Sequence, residues 1–316
     1  MAKVVTIGES MVVFTPEGYG ALRYESMYRA RLAGAESNTA VGLAKLGIPS
    51  VWMSRVGDDE FGAYVLNQIR AEGVDTSHAV TDPGHRTGIM FKQREYGGET
   101  TAFYYRENSA ASHLSPDNIT EALIEGADYL HITGITPVLS DSCREAVRKA
   151  VDLAHRKGVK FSFDPNVRKK LIRGEADITE LKALTLGADV VMLGLDEADD
   201  LFGIREVDQV YDLLYTEGNA AYVAVKDGGR GAWVSSKQER LHIPPYPCKP
   251  LENVGAGDGF NAGFLAGLAE DKPLETCGRM GAICGALATQ SVGDMEGYPS
   301  RARLERILQG QQEIFR

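Results

Sequence analysis

Residues 252–268 read ENVGAGDGFNAGFLAGL, and the rest of the chain is organised around this stretch. The small residues Gly255, Ala256 and Gly257 lead into Asp258, and an apolar run of helical character follows. Small residues allow a sharp turn, and the N–H groups at a helix start favour a bound anion. An acid beside such a turn suits a base that takes a proton while the N–H groups hold a charged group. This stretch alone leaves an ordinary helix start, with Asp258 as a first-turn acid, equally open.

Composition limits the class of protein. The chain has 316 residues, of which 43% are hydrophobic and 25% charged, and its formal net charge is -10. These values are typical of one large α/β domain or two modest ones. The acidic excess argues against a nucleic-acid or anionic-membrane partner, although an anionic small substrate needs only a few placed cations.

Cysteine usage and hydropathy predict a cytoplasmic protein. The four cysteines are scattered and form no CxxC pair, which is typical of reduced thiols. The opening residues, MAKVVTIGES, lack the long apolar core of a signal peptide. No apolar run is long enough to span a bilayer, so we expect no membrane partner.

Strand-like and helix-like segments alternate through most of the chain. Residues 4–7 are a short apolar run, and residues 60–71 form a helical pattern that a glycine ends. The alternation predicts one strand over residues 50–56 and helices over residues 178–186 and 301–314. It indicates an α/β fold with a mostly parallel sheet and helices on both faces. Ligands of such sheets lie at the carboxyl ends of the strands.

Two inserts interrupt the alternation. Residues 14–33 contain proline, glycines and tyrosines without a helical period, and residues 87–107 read as two strands around a turn at residues 96–99. Two hairpins of this kind can pair into one small sheet beside the main domain. Because at least one face of that sheet would be exposed, we expect it to act as a lid or a dimer contact.

A glycine-rich loop follows another apolar strand. Residues 226–231 read KDGGRG, and such a loop offers free N–H groups to phosphate or ribose. The alternative is a plain hairpin turn before the strand at residues 232–236. The sequence contains no GxxxxGK[ST] loop, no HExxH motif and no GxSxG elbow, and its six histidines are scattered. These absences argue against a P-loop protein and against a metal site made of histidine or cysteine.

Two further segments carry candidate binding groups. Residues 164–168, DPNVR, place a carboxylate, an amide and a cation at a strand end, where Arg168 can clamp a carboxylate or phosphate. The alternative is a solvated helix start. In the second insert, Tyr104 and Arg106 fall on one face of a strand and suit a hydroxylated, carboxylated substrate. The alternative there is an amphipathic strand with a surface arginine.

Taken together, these motifs resemble the ribokinase-like (PfkB) sugar kinases. The resemblance covers the whole chain in order, and it is carried by residues 33–38 (AGAESN), the turn at residues 57–58, and residues 164–168, 226–231 and 255–258. Within that family, the FYYR run at residues 103–106 and the DPNVR run are most similar to 2-keto-3-deoxygluconate kinases.

The resemblance implies a fold and a reaction. The fold would be a three-layer α/β/α ribokinase-like domain over residues 1–316, with a small β-sheet lid formed by the inserts 14–33 and 87–107 and often used in a homodimer. The reaction would be ATP- and Mg²⁺-dependent phosphorylation of a sugar hydroxyl. Asp258 would be the base, and the N–H groups of Gly255, Ala256 and Gly257 would form the anion hole.

The resemblance also assigns binding residues. Gly34 and Asn38 would hold sugar hydroxyls, Tyr104 and Arg106 would close over the substrate, and Arg168 would bind its carboxylate or the phosphoryl group. Glu197 would organise Mg²⁺ through water. The residues implied along ATP are Lys226, Gly228, Gly229, Gly231, Gly255 and Gly257.

The sequence departs from the family pattern in four places. Glu252-Asn253 stands where the family usually has Asp-Thr, near a monovalent-cation site, so K⁺ activation is left open. Gly194 stands in place of the asparagine of Asn-x-x-Glu. Met90 falls where relatives specific for the keto-deoxy acid often have a tyrosine, and Ala282 replaces an asparagine near the nucleotide.

The sequence therefore predicts phosphorylation of 2-keto-3-deoxygluconate to 2-keto-3-deoxy-6-phosphogluconate. One alternative is a family kinase for a neutral sugar such as fructose or ribose, against which Tyr104 and Arg106 argue. Another is a catalytically silent sugar or nucleotide sensor. The departures at Glu252, Asn253 and Gly194 support a sensor, and the intact Asp258 counts against it.

Overall fold

The order of strands and helices follows the predicted alternation. The computed structural model describes residues 3–96 and 100–311. The strands are β1 (Val4–Ile7), β2 (Met11–Pro16), β3 (Tyr28–Ala33), β4 (Ser50–Met53), β5 (Arg55–Gly57), β6 (Val80–Asp82), β7 (Ile89–Arg94), β8 (Thr100–Tyr105), β9 (Tyr129–Thr133), β10 (Lys160–Asp164), β11 (Val190–Gly194), β12 (Tyr222–Lys226), β13 (Ala232–Ser236) and β14 (Arg240–Ile243). The α-helices are α1 (Ala35–Lys45), α2 (Glu60–Ala71), α3 (Glu121–Ile124), α4 (Ile135–Leu139), α5 (Asp141–Arg156), α6 (Glu175–Gly187), α7 (Leu195–Phe202), α8 (Val207–Thr216), α9 (Ala256–Ala269), α10 (Leu274–Ala288) and α11 (Arg301–Leu308).

The main sheet has the strand order β14-β13-β12-β11-β10-β9-β1-β4. Six neighbouring strands of this sheet, β4, β1, β9, β10, β11 and β12, pair in parallel. Strands β13 and β14 add antiparallel partners at the β12 edge. Successive strand residues point to opposite faces. Val5 and Ile7 of β1 therefore enter one buried core with residues of α5 to α8, while Val4 enters another with residues of α1, α9 and α10. Helices cover both faces of the sheet, which confirms the predicted α/β class.

The two inserts form one sheet, which we call the small sheet, in the order β3-β2-β7-β8. Strand β2 pairs with β3 antiparallel and with β7 in parallel, and β7 pairs with β8 antiparallel. The first insert was placed at residues 14–33, but β2 already begins at Met11. Of the turn predicted at residues 96–99, residues 97–99 lie outside the described part of the chain.

Three predicted elements have different bounds. The strand expected over residues 50–56 divides after Met53, because β5 leaves the main sheet to pair with β6. Helix α6 begins at Glu175, ahead of the predicted residue 178, and the carboxylate of Asp177 in its first turn accepts a backbone N–H at 2.7 Å. Helix α11 ends at Leu308, because Gly310 takes a left-handed φ of 70° that terminates helices.

Helix α9 lies unusually close to α10, and glycines make this approach feasible. A Cβ on Gly263 would lie 2.5 Å from the carbonyl oxygen of Met280, and one on Gly267 would lie 2.8 Å from the Cα of Cys277. Gly259, four residues before Gly263, also packs against α10: the Cys284 carbonyl oxygen lies 3.0 Å from the position that a Cβ on Gly259 would take. This close packing fixes the position of α9 and of Asp258 in its first turn.

Candidate active site

The loop before α9 makes a sharp turn at Gly255. This residue has a φ of 75°, in the left-handed region, and a Cβ on it would lie 1.9 Å from the carbonyl oxygen of Asp294. The hydroxyl of Tyr298 donates a hydrogen bond to the Gly255 carbonyl oxygen at 2.9 Å. The N–H groups of Ala256 and Gly257 follow in the first helical turn, where N–H groups lack intrahelical acceptors. The turn thus presents donors that suit an anion.

Asp258 lies beside these N–H groups at the meeting of α9 and α1. Its Oδ2 accepts a hydrogen bond of 2.8 Å from the Asn38 side-chain nitrogen. Burial raises the pKa of Asp258 to about 7, with the charges of Asp164 and Asp294 acting in the same direction and Asn38 and Arg168 opposing them. A carboxyl group with a pKa near neutrality suits a general base.

Lys226, at the end of β12, lies in the centre of the site. Its Nζ is 2.6 Å from Oδ2 of Asp164, at the end of β10, and 3.4 Å from Oδ1 of Asn261 on α9. It is also 3.7 Å from the place that a Cβ on Gly257 would take. Burial would lower the pKa of Lys226, but the charges of Asp164 and Glu197 hold it above its usual value. A permanent cation therefore stands next to the proposed anion hole.

The glycines after Lys226 form the turn of a hairpin. The Asp227 N–H donates to the Gly231 carbonyl oxygen at 2.9 Å, and β12 and β13 pair antiparallel on either side. Gly228 and Gly229 are exposed. The hairpin alternative thus describes the local structure, and contact of these glycines with a nucleotide stays a prediction.

Glu197, in the first turn of α7, has both carboxylate oxygens held by backbone donors. Oε1 accepts from the Val167 N–H at 2.8 Å, and Oε2 accepts from the Gly194 N–H at 2.7 Å. Burial and the neighbouring Asp164 charge raise the pKa of Glu197 to about 7, although Lys226 opposes the shift.

This donor set suits Mg²⁺ held through water. Mg²⁺ keeps several waters and uses one or two carboxylates together with substrate phosphates. Glu197 and Asp164 can supply those carboxylates, and a cation beside them would relieve the mutual repulsion of their charges. Within residues 3–96 and 100–311, His, Cys, Asp and Glu form no group of three that could hold a metal ion directly.

Arg106 reaches the site from the end of β8, but it has a protein partner. Its guanidinium forms an ion pair with Glu9, which follows β1; the Glu9 side chain is buried and the Arg106 side chain is partly buried. Oε1 of Glu9 also accepts from the Ser109 hydroxyl at 2.6 Å. Tyr104, the predicted companion of Arg106, is 47% exposed, with its ring centroid 5.8 Å from the guanidinium. Glu9 thus neutralises part of the charge that the sequence analysis assigned to a substrate.

Two other predicted substrate residues lie in tight surroundings. Met90 on β7 is 5% exposed and packs against β2 and β3, directly across from Tyr104. Gly34 precedes α1, and a Cβ there would lie 2.5 Å from the Glu9 carbonyl oxygen. The small size of Gly34 therefore keeps α1, and with it Asn38, close to the end of β1.

Arg168 differs from Arg106 because it is exposed and has no ion-pair partner among the residues that the structure describes. It follows a tight turn in which Oδ1 of Asp164 accepts from the Asn166 N–H at 3.1 Å. Its charge lies near enough to Asp258 to lower the pKa of that carboxyl. Arg168 is available for an anionic ligand.

Comparison with known proteins agrees with this geometry. A family model described as "pfkB family carbohydrate kinase" matches residues 1–301. The chain belongs to this family. It is similar to the 2-dehydro-3-deoxygluconokinase of Bacillus subtilis (34% identity over 98% of this chain and 96% of the relative) and to that of Thermoproteus tenax (33% over 98% and 94%). This pfkB-family protein is thus a sugar kinase, a phosphotransferase with an alcohol group as acceptor.

Solved structures share the whole fold. An E. coli structure described as a ribokinase II in complex with ATP and Mg²⁺ matches with a TM-score of 0.92 at 27% identity, covering 98% of this chain and 100% of that one. A fructokinase double mutant from Vibrio cholerae, solved with fructose, ADP and potassium ion, matches with a TM-score of 0.86 at 27% identity, covering 98% of each chain. These matches confirm the predicted ribokinase-like fold. No helix within the described residues of this kinase is long and apolar enough to cross a membrane.

Some polar groups of this pfkB-family site were not singled out in the sequence. Asn261 is wholly buried and donates to Oδ2 of Asp164 at 2.6 Å. The sequence could have indicated Asn261 by its spacing, because it lies three residues after Asp258 and the two side chains therefore lie on neighbouring faces of one helix. Glu36 is also wholly buried, and its Oε1 accepts from the hydroxyls of Thr133 and Thr136 at 2.8 Å each, which ties α1 to the end of β9.

Proposed function

We propose that this pfkB-family kinase transfers the terminal phosphoryl group of ATP to the 6-hydroxyl of 2-keto-3-deoxygluconate (2-dehydro-3-deoxygluconate). The observation that carries the proposal is the placement of Asp258, a carboxyl group with a pKa of about 7, beside the first N–H groups of α9. The names of two relatives at 33–34% identity support the substrate.

The proposed chemistry needs few groups. Asp258 takes the proton of the sugar hydroxyl. At the same time the oxygen of that hydroxyl bonds to the terminal phosphorus of ATP, and the bond from that phosphorus to the leaving ADP breaks. Asn38 holds Oδ2 of Asp258 in place, so that the other oxygen is left for the hydroxyl. The N–H groups of Gly255, Ala256 and Gly257 stabilise the transferring phosphoryl group by position and charge.

The nucleotide site follows from the cations and carboxylates around β12. The Lys226 ammonium lies beside Gly257 and can reach the phosphates of ATP. When bound, Mg²⁺ would neutralise charge on those phosphates. Glu197 and Asp164 would hold its waters, since the backbone donors at residues 167 and 194 fix the Glu197 carboxylate in one orientation.

An acidic substrate is favoured by Arg168. This cation is exposed at the site, and no carboxylate in the described residues lies within ion-pair distance of it. A neutral sugar is the second candidate, because Glu9 already pairs with Arg106 and so reduces the positive charge on the small-sheet side.

Assembly through the small sheet also stays a proposal. Phe103 and Tyr105 lie on one face of β8 and are 42% and 64% exposed. An exposed aromatic strip of this kind suits contact with a second copy of the chain, as the lid prediction anticipated.

The test measures ADP release with 2-keto-3-deoxygluconate, other sugar acids, fructose and ribose, for the wild type and for Arg168→Ala. A charge-assisted contact is worth about 1.5–3 kcal/mol, so we expect kcat/KM for the acid to fall about tenfold or more in this variant. Activity with a neutral sugar should change far less. Lys170→Ala, which removes an exposed cation from the same loop, is the matched control and should act like the wild type. Turnover confined to a neutral sugar would overturn the substrate assignment.

A further inference from the structure

A buried ionic cluster joins the small sheet to the loop before α9. Lys92 on β7 has a side chain that is 3% exposed, and its Nζ lies 3.1 Å from Oδ1 of Asp294 and 3.6 Å from Oε2 of Glu252. Arg94, on the same strand, places its Nε 3.5 Å from Oε1 of Glu252. The side chains of Glu252 and Asp294 are 5% and 8% exposed. Two cations from the small sheet thus meet two buried carboxylates of the main domain.

Glu252 and Asp294, which carry the two carboxylates, lie in backbone segments that shape the anion hole. Glu252 lies three residues before Gly255, and its N–H donates to the Thr289 carbonyl oxygen at 3.2 Å. The backbone of Asp294 packs directly on Gly255, since a Cβ there would lie 1.9 Å from the Asp294 carbonyl oxygen. A movement of either carboxylate therefore moves the residues that present the N–H groups.

The carboxylates depend on the small-sheet cations. Neither oxygen of Glu252 has a hydrogen-bond partner within the described residues, so Lys92 and Arg94 supply its compensation through ion pairs. A buried carboxylate without a partner is strongly unfavourable. The four side chains together carry no net charge.

A monovalent metal ion does not fit beside these residues. The sequence resemblance left K⁺ activation open at this position, because Glu252 replaces the usual aspartate. Here the ammonium of Lys92 already lies between the two carboxylates that a cation would use. A K⁺ ion next to it would meet a like charge in a buried, already neutral cluster.

We propose that Lys92 is a built-in cation of this pfkB-family kinase: it replaces a monovalent metal ion and positions the anion hole through Glu252 and Asp294. The proposal rests on the proposed function for its kinetic consequences. It makes Lys92 a positioning residue, since it acts through these carboxylates rather than on the substrate. It also makes the anion hole complete only when β7 of the small sheet lies in its observed place.

The experiment compares Lys92→Met with the wild type in KCl and in tetramethylammonium chloride at equal ionic strength. We expect wild-type ADP release to be the same in both salts. In Lys92→Met, a misplaced anion hole should lower kcat by about 10- to 100-fold with a much smaller change in KM, and KCl should restore part of the loss. Lys92→Arg should keep most activity and remain indifferent to the salt. Arg29→Met is the matched control, because its ion pair with Glu17 in the small sheet is exposed, and it should act like the wild type.

Thermal unfolding without any sugar provides a second readout. KCl should raise the unfolding temperature of Lys92→Met but not of the wild type or Arg29→Met. This readout does not require a substrate, so a failure of the proposed function on every sugar would leave it intact.

Two results would overturn the inference. One is a wild-type enzyme that K⁺ activates or stabilises severalfold more than tetramethylammonium does, and the other is a folded Lys92→Met with wild-type kcat. If Lys92→Met does not fold, Glu252→Gln replaces it, with a lowered kcat expected because Lys92 loses one of its two partners. Wild-type kcat in Glu252→Gln would then count against the proposal.

Discussion

Replacing Asp258 with asparagine separates the demands of catalysis from those of stability. Asparagine has the same shape, and its side-chain oxygen can still accept the hydrogen bond that Asn38 donates at 2.8 Å in the wild type. What the substitution removes is the ability to take a proton. A general base contributes about 10²- to 10⁴-fold to a rate, so we expect kcat to fall by that factor while ATP still binds.

The same substitution should stabilise the folded protein at neutral and higher pH. The pKa of Asp258 is raised from 3.8 to about 7 in the folded state, first by burial and then by Asp164 and Asp294. Below the unfolded pKa the carboxyl is protonated in both states and contributes nothing unfavourable. As the pH rises from the unfolded pKa of 3.8 to the folded pKa of about 7, the carboxyl ionises in the unfolded chain but not in the folded protein, so the wild type loses stability relative to the variant; above the folded pKa the loss is constant.

The magnitude follows from the shift. About three pKa units at about 1.4 kcal/mol each give an upper value of about 4 kcal/mol, and partial access to water reduces it to about 2–4 kcal/mol at pH 8. Urea unfolding at pH 8 and at pH 5 measures the difference, which should be smaller at the lower pH. ADP release against pH gives the second measurement, because wild-type kcat should rise with pH through about 7.

Two outcomes would refute this reasoning. Retention of most turnover in Asp258→Asn would remove the residue from the role of base. A variant that is less stable than the wild type at pH 8 would show that the carboxylate is not strained by burial. Asp117→Asn, which changes a carboxylate in a short surface turn, is the control for a general effect of the substitution.

Three further substitutions test other parts of the site. Gly255→Ala should lower the free energy of unfolding by about 1–2 kcal/mol because of the left-handed backbone alone, which thermal unfolding measures. Its Cβ would also clash with the Asp294 carbonyl oxygen, so kcat in the ADP-release assay should fall as well. Lys226→Met should raise the KM for ATP by about tenfold or more, since it removes a charge-assisted contact, whereas Arg230→Met, in the exposed turn that follows, should not. Arg106→Ala should destabilise the fold by about 3–5 kcal/mol in urea unfolding because it leaves the buried Glu9 carboxylate without its counter-charge, with the Ser109 hydroxyl as its remaining partner, and adding Glu9→Gln should recover much of that loss.

The sequence was sufficient for features that depend on local pattern. Alternating strand and helix patterns predicted the α/β fold, and the two irregular inserts predicted the strands that pair into the small sheet. The rule that ligands lie at strand ends led to Asp164 and Lys226, the family resemblance added Glu197, and the structure brings these three residues together. The glycines before Asp258 predicted the turn that begins α9.

Features that depend on distant partners could not be predicted. Lys92 and Asp294 are 202 positions apart, and no spacing rule indicates that one neutralises the other. The pairing of Arg106 with Glu9 is of the same kind, so a residue that looked available for a substrate has a partner in the fold. The early end of β4 is also a tertiary effect, because the residues that follow it form β5 and pair with β6 rather than with the main sheet.

The position of Asp258, the proposed base, depends on glycines of α9 that lie far from the reacting groups. Gly263 lies five residues beyond Asp258, about 7.5 Å along the helix axis at 1.5 Å per residue, and the atoms nearest to its Cβ position belong to Met280 and Gly281 of α10. Yet a methyl group there would push α9 away from the Met280 carbonyl oxygen, which lies 2.5 Å from the Cβ position. Because a displacement of about 1 Å at a reacting group can cost about 100-fold in rate, a change from glycine to alanine in the interior would act as a change in catalysis. Engineering of this enzyme for stability should therefore leave the seam between α9 and α10 untouched.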